Sequence, residues 1–391
     1  MVVDIAAELA AAKDDMIALR RDLHAHPELS FQEQRTAGII ADRLRAAGLE
    51  VQTGVAGTGV VALLRGAQPG KTLALRADID ALPITEAGDA PYRSQTPGVM
   101  HACGHDGHTA VAVTVASLLA GHRAALRGNV KFLFQPAEER IGGAKPMIDA
   151  GALRDPAVDA VVACHIWADL PVGKVGLRAG PAFASADEMH IVVKGRMGHG
   201  ALPHQAVDSI AVAAQVIAAL QTLVSREIDP LKPAVVTIGT IHGGTAFNII
   251  AAEVDMRGTL RAFDMAVRNH LVERAEGLVA GLCAAMRAEY SFRSVLGCPP
   301  CVNDPAITDL VRRAAVAAIG AENVVDMEPT TGSDDMAYFL ESVPGCYFKV
   351  GGRNTARGAG HPHHSPLFDF DEDALAVAAR VLLQTVFAYL S

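Results

Sequence analysis

The sequence predicts an α/β fold, a mostly parallel central sheet, with a smaller α+β module inserted into it. Three observations predict this. Short apolar runs alternate with helical stretches through the first part of the chain, the pattern changes near Ala184 to strands with two long helices, and the alternation returns after Pro300. Alternation of this kind marks a sheet covered by helices on both faces. The expected division is therefore 1–183 with 297–391 as one domain and 184–296 as the insertion.

Taken in order, Ala6–Leu23 and Glu33–Gly48 carry helical periodicity, the second closing on a glycine, as helices commonly do. Val60–Leu64, Thr72–Arg76, Val130–Phe134 and Val158–Ala163 are apolar runs bounded by Gly, Pro or charged residues and read as strands, with Thr109–Leu119 as a helix between them. In the insertion, Asp187–Lys194, Ala234–Ile241, Glu253–Arg261 and Glu289–Val295 read as a four-stranded sheet. Asp208–Glu227 and Met265–Arg287 read as the two helices over one of its faces. The last part reads as helix Pro305–Ile319, helix Asp334–Glu341, strand Cys346–Val350 and helix Asp371–Leu390.

Composition narrows the function. Half of the 391 residues are hydrophobic and only 5% are aromatic, so the core is built mainly from Ala, Val, Leu and Ile. With 34 Lys and Arg against 43 Asp and Glu the net charge is −9, and no basic cluster suggests a nucleic-acid partner. Met1–Asp15 carries Asp4 and Glu8 and lacks the basic start of a secretory leader. The longest uncharged apolar stretch noted, Ala110–Gly121, falls short of the roughly 18–20 residues that span a bilayer. A cytoplasmic protein without membrane partners is expected. Six scattered cysteines do not make a disulfide scaffold. The single C-x-x-C pair, Cys298 and Cys301, reads as two apolar thiols in a connecting turn, although a redox or metal role is the other use of that spacing.

Four segments carry metal-ligand chemistry. The densest is His101-Ala102-Cys103-Gly104-His105-Asp106-Gly107-His108, where Cys103 and His105 can point one way from an extended turn and Asp106 can cap a helix beginning near His108. Gln135-Pro136-Ala137-Glu138-Glu139 delivers two adjacent carboxylates from an apolar strand, an arrangement that is costly unless a cation or a shared proton relieves it. Cys164-His165-Ile166-Trp167 and His361-Pro362-His363-His364-Ser365-Pro366 are the third and fourth. Singly, each is equally a surface turn, a solvated acidic loop or a structural histidine. Together, at strand ends of one α/β domain, they suit a dinuclear site, whose two ions sit about 3.5–4 Å apart.

Longer motifs then carry a resemblance. Arg21-Asp22-Leu23-His24-Ala25-His26-Pro27-Glu28, Arg76-Ala77-Asp78-Ile79-Asp80-Ala81-Leu82-Pro83, His101–Asp106, Gln135–Glu139, Gly198-His199 and His364-Ser365-Pro366 follow one another in order. In them the chain resembles the dinuclear-metal aminoacylase/carboxypeptidase family. The branch it resembles is that of the N-acyl-amino-acid amidohydrolases, with the hippurate hydrolases and the enzymes that release indole-acetic acid from amino-acid conjugates. The resemblance implies that Cys103, His105, Glu139, His165 and His364 bind two divalent ions, Cys103 bridging them. Zinc or manganese is expected, with cobalt or nickel as further options. It also implies Glu138 as general base toward a metal-activated water. His199, in a lid domain spanning the insertion, would stabilise the transition state, in several relatives from the other subunit of a dimer. Asn248 and Arg261 become candidate clamps for the substrate carboxylate, Arg257 competing with Arg261. Where distant peptidase relatives have a metal-binding His before an orienting Asp, this chain has Arg76 before Asp78, so His105 takes the ligand role and Asp78 and Asp80 become orienting groups. Thr331-Gly332-Ser333-Asp334-Asp335 resembles the loop near the acyl group.

The expected activity is hydrolysis of a small N-acyl or N-aroyl amino acid to a carboxylic acid and a free amino acid, by a homodimer or higher homo-oligomer. A dipeptidase or N-carbamoyl-amino-acid hydrolase on the same scaffold is the alternative within the class. A metal-binding regulatory protein would have no use for the unliganded Glu138. A thiol-redox protein would depend on Cys298 and Cys301.

Overall fold

Leu9, Met16, Leu19 and Leu23 form one buried stripe of α1 (Ala6–Ala25), as a helix with one face on a core requires. The structure, a computed structural model, describes residues 5–391. Asp4, one of the two acids noted against a leader, lies outside them. After α2 (Gln34–Ala46) the chain enters β1 (Glu50–Val55), β2 (Gly59–Arg65) and β3 (Gln68–Asp78). Then come α3 (His105–Gly121), β4 (Arg127–Gln135), α4 (Ala144–Asp149), β5 (Ala160–Pro171) and β6 (Val175–Leu177). β2 is buried at all but its last residue, which explains why it reads as a continuous apolar run. β1 carries no such run: it is a mostly exposed edge strand, antiparallel to β2.

β7 (Gly180–Phe183) leads into β8 (Asp187–Lys194), β9 (Gly198–His199), α5 (Ser209–Thr222), β10 (Ala234–Gly243), β11 (Ile249–Ile250), β12 (Glu253–Ala262), α6 (Met265–Ala285) and β13 (Glu289–Leu296). The chain returns through β14 (Cys301–Asn303), α7 (Pro305–Ile319), β15 (Val324–Asp326), α8 (Met336–Ser342), β16 (Gly345–Arg353) and α9 (Asp373–Tyr389). Asp208, Asp264 and Asp304 each cap a helix by accepting from the two backbone amides of its first turn, which is why these starts are sharp. The expected helix Asp208–Glu227 is α-helical only to Thr222 and continues as a π-helical turn, Leu223–Glu227.

Two compact units result. One comprises Met1–Gly180, Val302–Glu328 and Asp334–Ser391, the other Pro181–Cys301 with Pro329–Ser333. The first holds an eight-stranded sheet in the order β1-β2-β4-β3-β5-β16-β6-β15. Its central run β4-β3-β5-β16 is parallel, with antiparallel pairs at β1–β2, β2–β4 and β16–β6. The second holds an antiparallel four-stranded sheet, β10-β12-β8-β13. α5 and α6 share a core with one face of that sheet through Val212, Val216, Leu220, Leu271 and Val279. Among the described residues, the helix that comes nearest to a membrane span by length and composition is Ser209–Glu227, not Ala110–Gly121. Cys298 and Cys301 are both buried.

Candidate metal centre and active site

β3, β4 and β5 run parallel and adjacent, so their carboxyl ends share one edge of the sheet. Open α/β sheets bind ligands there. β3 ends at Asp78 and is followed by Asp80, and β4 ends at Gln135, just before Glu138 and Glu139. β5 extends to Pro171, so His165 lies within the strand rather than at its end. Cys103 and His364 come from loops, before α3 and α9 respectively, so the strand-end expectation holds for only part of the set.

The turn into α3 differs from the expected one. The helix begins at His105, and its cap position is Gly104 at φ +90°, a left-handed conformation that glycine takes without a steric penalty. Asp106 is no cap. It is buried in the helix, where its Oδ2 accepts from Arg20 Nε and His24 Nδ1, both at 2.8 Å.

Tautomers follow from the fixed partners, because a carbonyl oxygen only accepts. His105 Nδ1 donates to Asp80 O at 2.9 Å, and His165 Nδ1 donates to Ile166 O at 2.6 Å. The Nε2 atoms of both rings are left for other use. His165 Nε2 lies 3.5 Å from Cys103 Sγ. His105 Nε2 is buried without a hydrogen-bond partner, 3.9 Å from Glu138 Oε2 and from Glu139 Oε1. Glu139 Oε1 is likewise buried and unpaired, while Oε2 is 3.3 Å from His364 Nε2.

The five sequence-predicted ligands thus fall into two groups of three, Cys103-His105-His165 and Cys103-Glu139-His364. Within each, the ligand atoms lie within 4.8 Å of one another, and Cys103 is the member common to both. Thiolate, imidazole and carboxylate in such groups fit divalent cations, and buried polar atoms without partners are what a ligand would satisfy. Charge agrees. Burial alone would lower the His105 pKa, but Asp78, Asp80 and Glu139 outweigh it and raise it to about 10, so that a proton stands where a cation would. Burial, then Asp334 and Glu139, push the Glu138 carboxyl well above its ordinary range.

The loop bearing Glu138 and Glu139 is held by buried carboxylates from elsewhere in the chain. Glu33 accepts from Ala137 N, Asp80 from the amides of Glu138 and Glu139, and Asp335 from those of Gly143 and Ala144, at 3.0–3.2 Å. Asp335 also accepts from Gln135 Nε2 at 2.6 Å and from Arg76. Arg76, in the position where distant relatives place a ligand, is a buried counter-charge to Asp78, Asp334 and Asp335. Asp78 Oδ1 pairs with His108 Nδ1 at 2.6 Å. Sequence reasoning did not assign Asp335 and His108 these parts. Only the spacing of His108 three residues after His105, on one helix face, hinted at it.

The remaining candidates belong to the second unit. His199 is exposed on β9, and its Nδ1 accepts from Ala201 N at 3.0 Å, which leaves the proton of the neutral ring on Nε2. Asn248 is exposed beside it: Asn248 O accepts from Gly200 N, and the next residue, Ile249, pairs with His199. Arg261 Nη1 donates to Ser333 Oγ at 3.0 Å, whereas Arg257 is largely exposed, 4.0 Å from Asp255.

Comparison with known proteins places these features in a family. The chain is 41% identical over 377 residues to the N-acetyl-L-cysteine deacetylase of Bacillus subtilis, covering 96% of this chain and 88% of that one. It is 45% identical over 292 residues to the N-acyl-L-amino acid amidohydrolase of Geobacillus stearothermophilus, covering 74% and 78% of the two chains. Among solved structures it superposes on the Bacillus subtilis YXEP protein, described as a dinuclear metal binding peptidase from the M20 family. That match has a TM-score of 0.86 and 37% identity and covers 97% of this chain and 99% of that one. Residues 74–388 match peptidase family M20/M25/M40, and the chain belongs to that family.

Proposed function

We propose that this chain is a metal-dependent amidohydrolase that cleaves N-acyl or N-aroyl amino acids to a carboxylic acid and a free amino acid. Cys103, His105, Glu139, His165 and His364 hold its two divalent ions. The carrying observation is the pair of three-residue donor groups that share Cys103, with the buried Glu138 beside them. Divalent cations bound there would polarise the scissile carbonyl and acidify water. The chain's own residues do the rest. Glu138 takes a proton from the attacking water at its carboxylate while the water oxygen bonds to the carbonyl carbon. It then delivers that proton to the amide nitrogen as the C–N bond breaks. Asp80 keeps Glu138 and Glu139 in place through their amides. His199 Nε2–H is a donor suited to the developing oxyanion. Asn248 and Arg261 hold the substrate carboxylate, the forked guanidinium suiting that group. The names of the deacetylase and the amidohydrolase relatives support an acyl amino acid over a dipeptide or carbamoyl compound.

We read the ions as zinc or manganese, thiolate and imidazole favouring zinc. We assign the enzyme to the cytoplasm, in keeping with six scattered cysteines that do not make a disulfide scaffold. We take it to be a homodimer. In support, the second unit exposes Met197, Phe247 and Ile249 around its short β9–β11 ladder and leaves β10 as an exposed sheet edge.

The test is amino-acid release from hippurate, an N-acetyl amino acid, a dipeptide and an N-carbamoyl amino acid. The first two are expected to be preferred, and faster cleavage of either of the others would favour the alternative. Glu138→Gln is expected to lower kcat by about 10²–10⁴-fold with metal content unchanged. Unaltered hydrolysis in that variant would remove Glu138 from the mechanism.

A further inference from the structure

His363 stands next to the proposed ligand His364, and its ring is held on several sides. It stacks at a tilt on Trp167 with centroids 4.9 Å apart and on Phe368 at 5.0 Å, and it meets His165 edge-on at 5.1 Å. The loop that carries it is tied to the Cys103 loop, because His364 N donates to Ala102 O at 2.9 Å. His363 Nε2 accepts from Ala168 N at 3.1 Å. An imidazole nitrogen that accepts carries no hydrogen, so the ring is neutral and its single proton sits on Nδ1. Nδ1 faces the Cys103 sulfur at 3.8 Å.

We propose that His363 is a positioning residue of the metal centre, donating its Nδ1–H to the sulfur of Cys103. This deepens the function proposed above and rests on Cys103 being a ligand. Cys103 belongs to both donor groups, and a thiolate there would have two lone pairs to offer to cations and a third open to a donor. His363 supplies that donor from a ring that cannot turn away without giving up Ala168 N–H. The same accounting excludes His363 as a ligand through Nδ1, since that atom already holds the proton.

The full chain, loaded with Co(II) alone, tests this through the thiolate-to-metal charge-transfer absorption of the near ultraviolet. His363→Phe keeps a packed ring without a donor, and His363→Asn places an amide N–H close to where Nδ1 stood. The expected result is a band in the wild type, a shift to longer wavelength in His363→Phe, and a return toward the wild-type position in His363→Asn. The Co(II) dissociation constant, measured by competition with a chelator, is expected to rise roughly 10–100-fold in His363→Phe. Should the Phe variant not fold, His363→Leu serves as the donor-free form. A band at the same wavelength in wild type and donor-free variant overturns the role of His363 while leaving Cys103 a ligand. No band in the wild type overturns both.

Discussion

Asp106 shows what one side chain does at this centre without touching a metal. It follows His105 directly, is fully buried, and ties α3 to α1 through Arg20 and His24. Arg20 is also fully buried and reaches Asp369 at 2.7 Å in the segment before α9. Three separated parts of the chain thus meet on one guanidinium. Removing one partner of a buried pair leaves the other charge uncompensated, which costs about 3–5 kcal/mol. Because Asp369 and Glu372 still face Arg20, Asp106→Asn is expected toward the lower end of that range in urea unfolding. The exposed pair of Asp15 and Arg43 is the control: Asp15→Asn is expected to cost less than about 1 kcal/mol. Equal losses in the two variants would show that the Asp106 network contributes no more than a surface pair.

The loop between β4 and α4 is the element on which the proposed chemistry turns. It places Ala137 at φ +53° and Ile141 at φ +50°, conformations that cost energy for residues other than glycine. Glu33, Asp80 and Asp335 hold it there. Its exit passes Gly143, where a Cβ would lie 1.6 Å from Pro136 O, so no other residue fits without moving the backbone. Gly143→Ala is therefore expected to lower kcat by roughly 100-fold or more, since misplacement by about 1 Å can cost that much. Near-normal kcat in a folded Gly143→Ala protein would mean that the loop has room to relax. None of these clamps is local, and that decides what could be read from sequence. Strands β8, β10 and β12 and helix α7 were legible because alternation, apolar periodicity and a capping Asp are local signals. Strand β1 was not, because a polar edge strand has no buried pattern to display. Of the site, the ligand types were legible in short motifs. The start of α3 was misjudged because Asp106 looks like a cap until Arg20, 86 residues away, is seen to claim it. His363 and Asp335 gain meaning only from Cys103 and the Glu138 loop, which the fold brings to them.

At the scale of the whole molecule, the two compact units have separate hydrophobic cores. One is built on the eight-stranded sheet and holds Phe132, Phe134, Phe348 and Phe368. The other is aliphatic, with Ile191, Val216, Leu260 and Leu271 at its centre. Unfolding of a chain with two such cores need not be two-state. All five proposed ligands lie in the first unit, so cation binding energy enters only the stability of that unit. A ligand at 100 times its dissociation constant stabilises the form that binds it by about 2.7 kcal/mol. Chelation is therefore expected to move one calorimetric transition to lower temperature and to leave a second in place. A Trp signal can assign them, because Trp167, the sole tryptophan, belongs to the first unit beside His165. The transition followed by Trp167 fluorescence is expected to be the one that chelator lowers and added zinc or manganese restores. If chelator lowers both transitions equally, the two cores unfold as one cooperative body; if it lowers neither, the five side chains do not hold a cation in the folded protein.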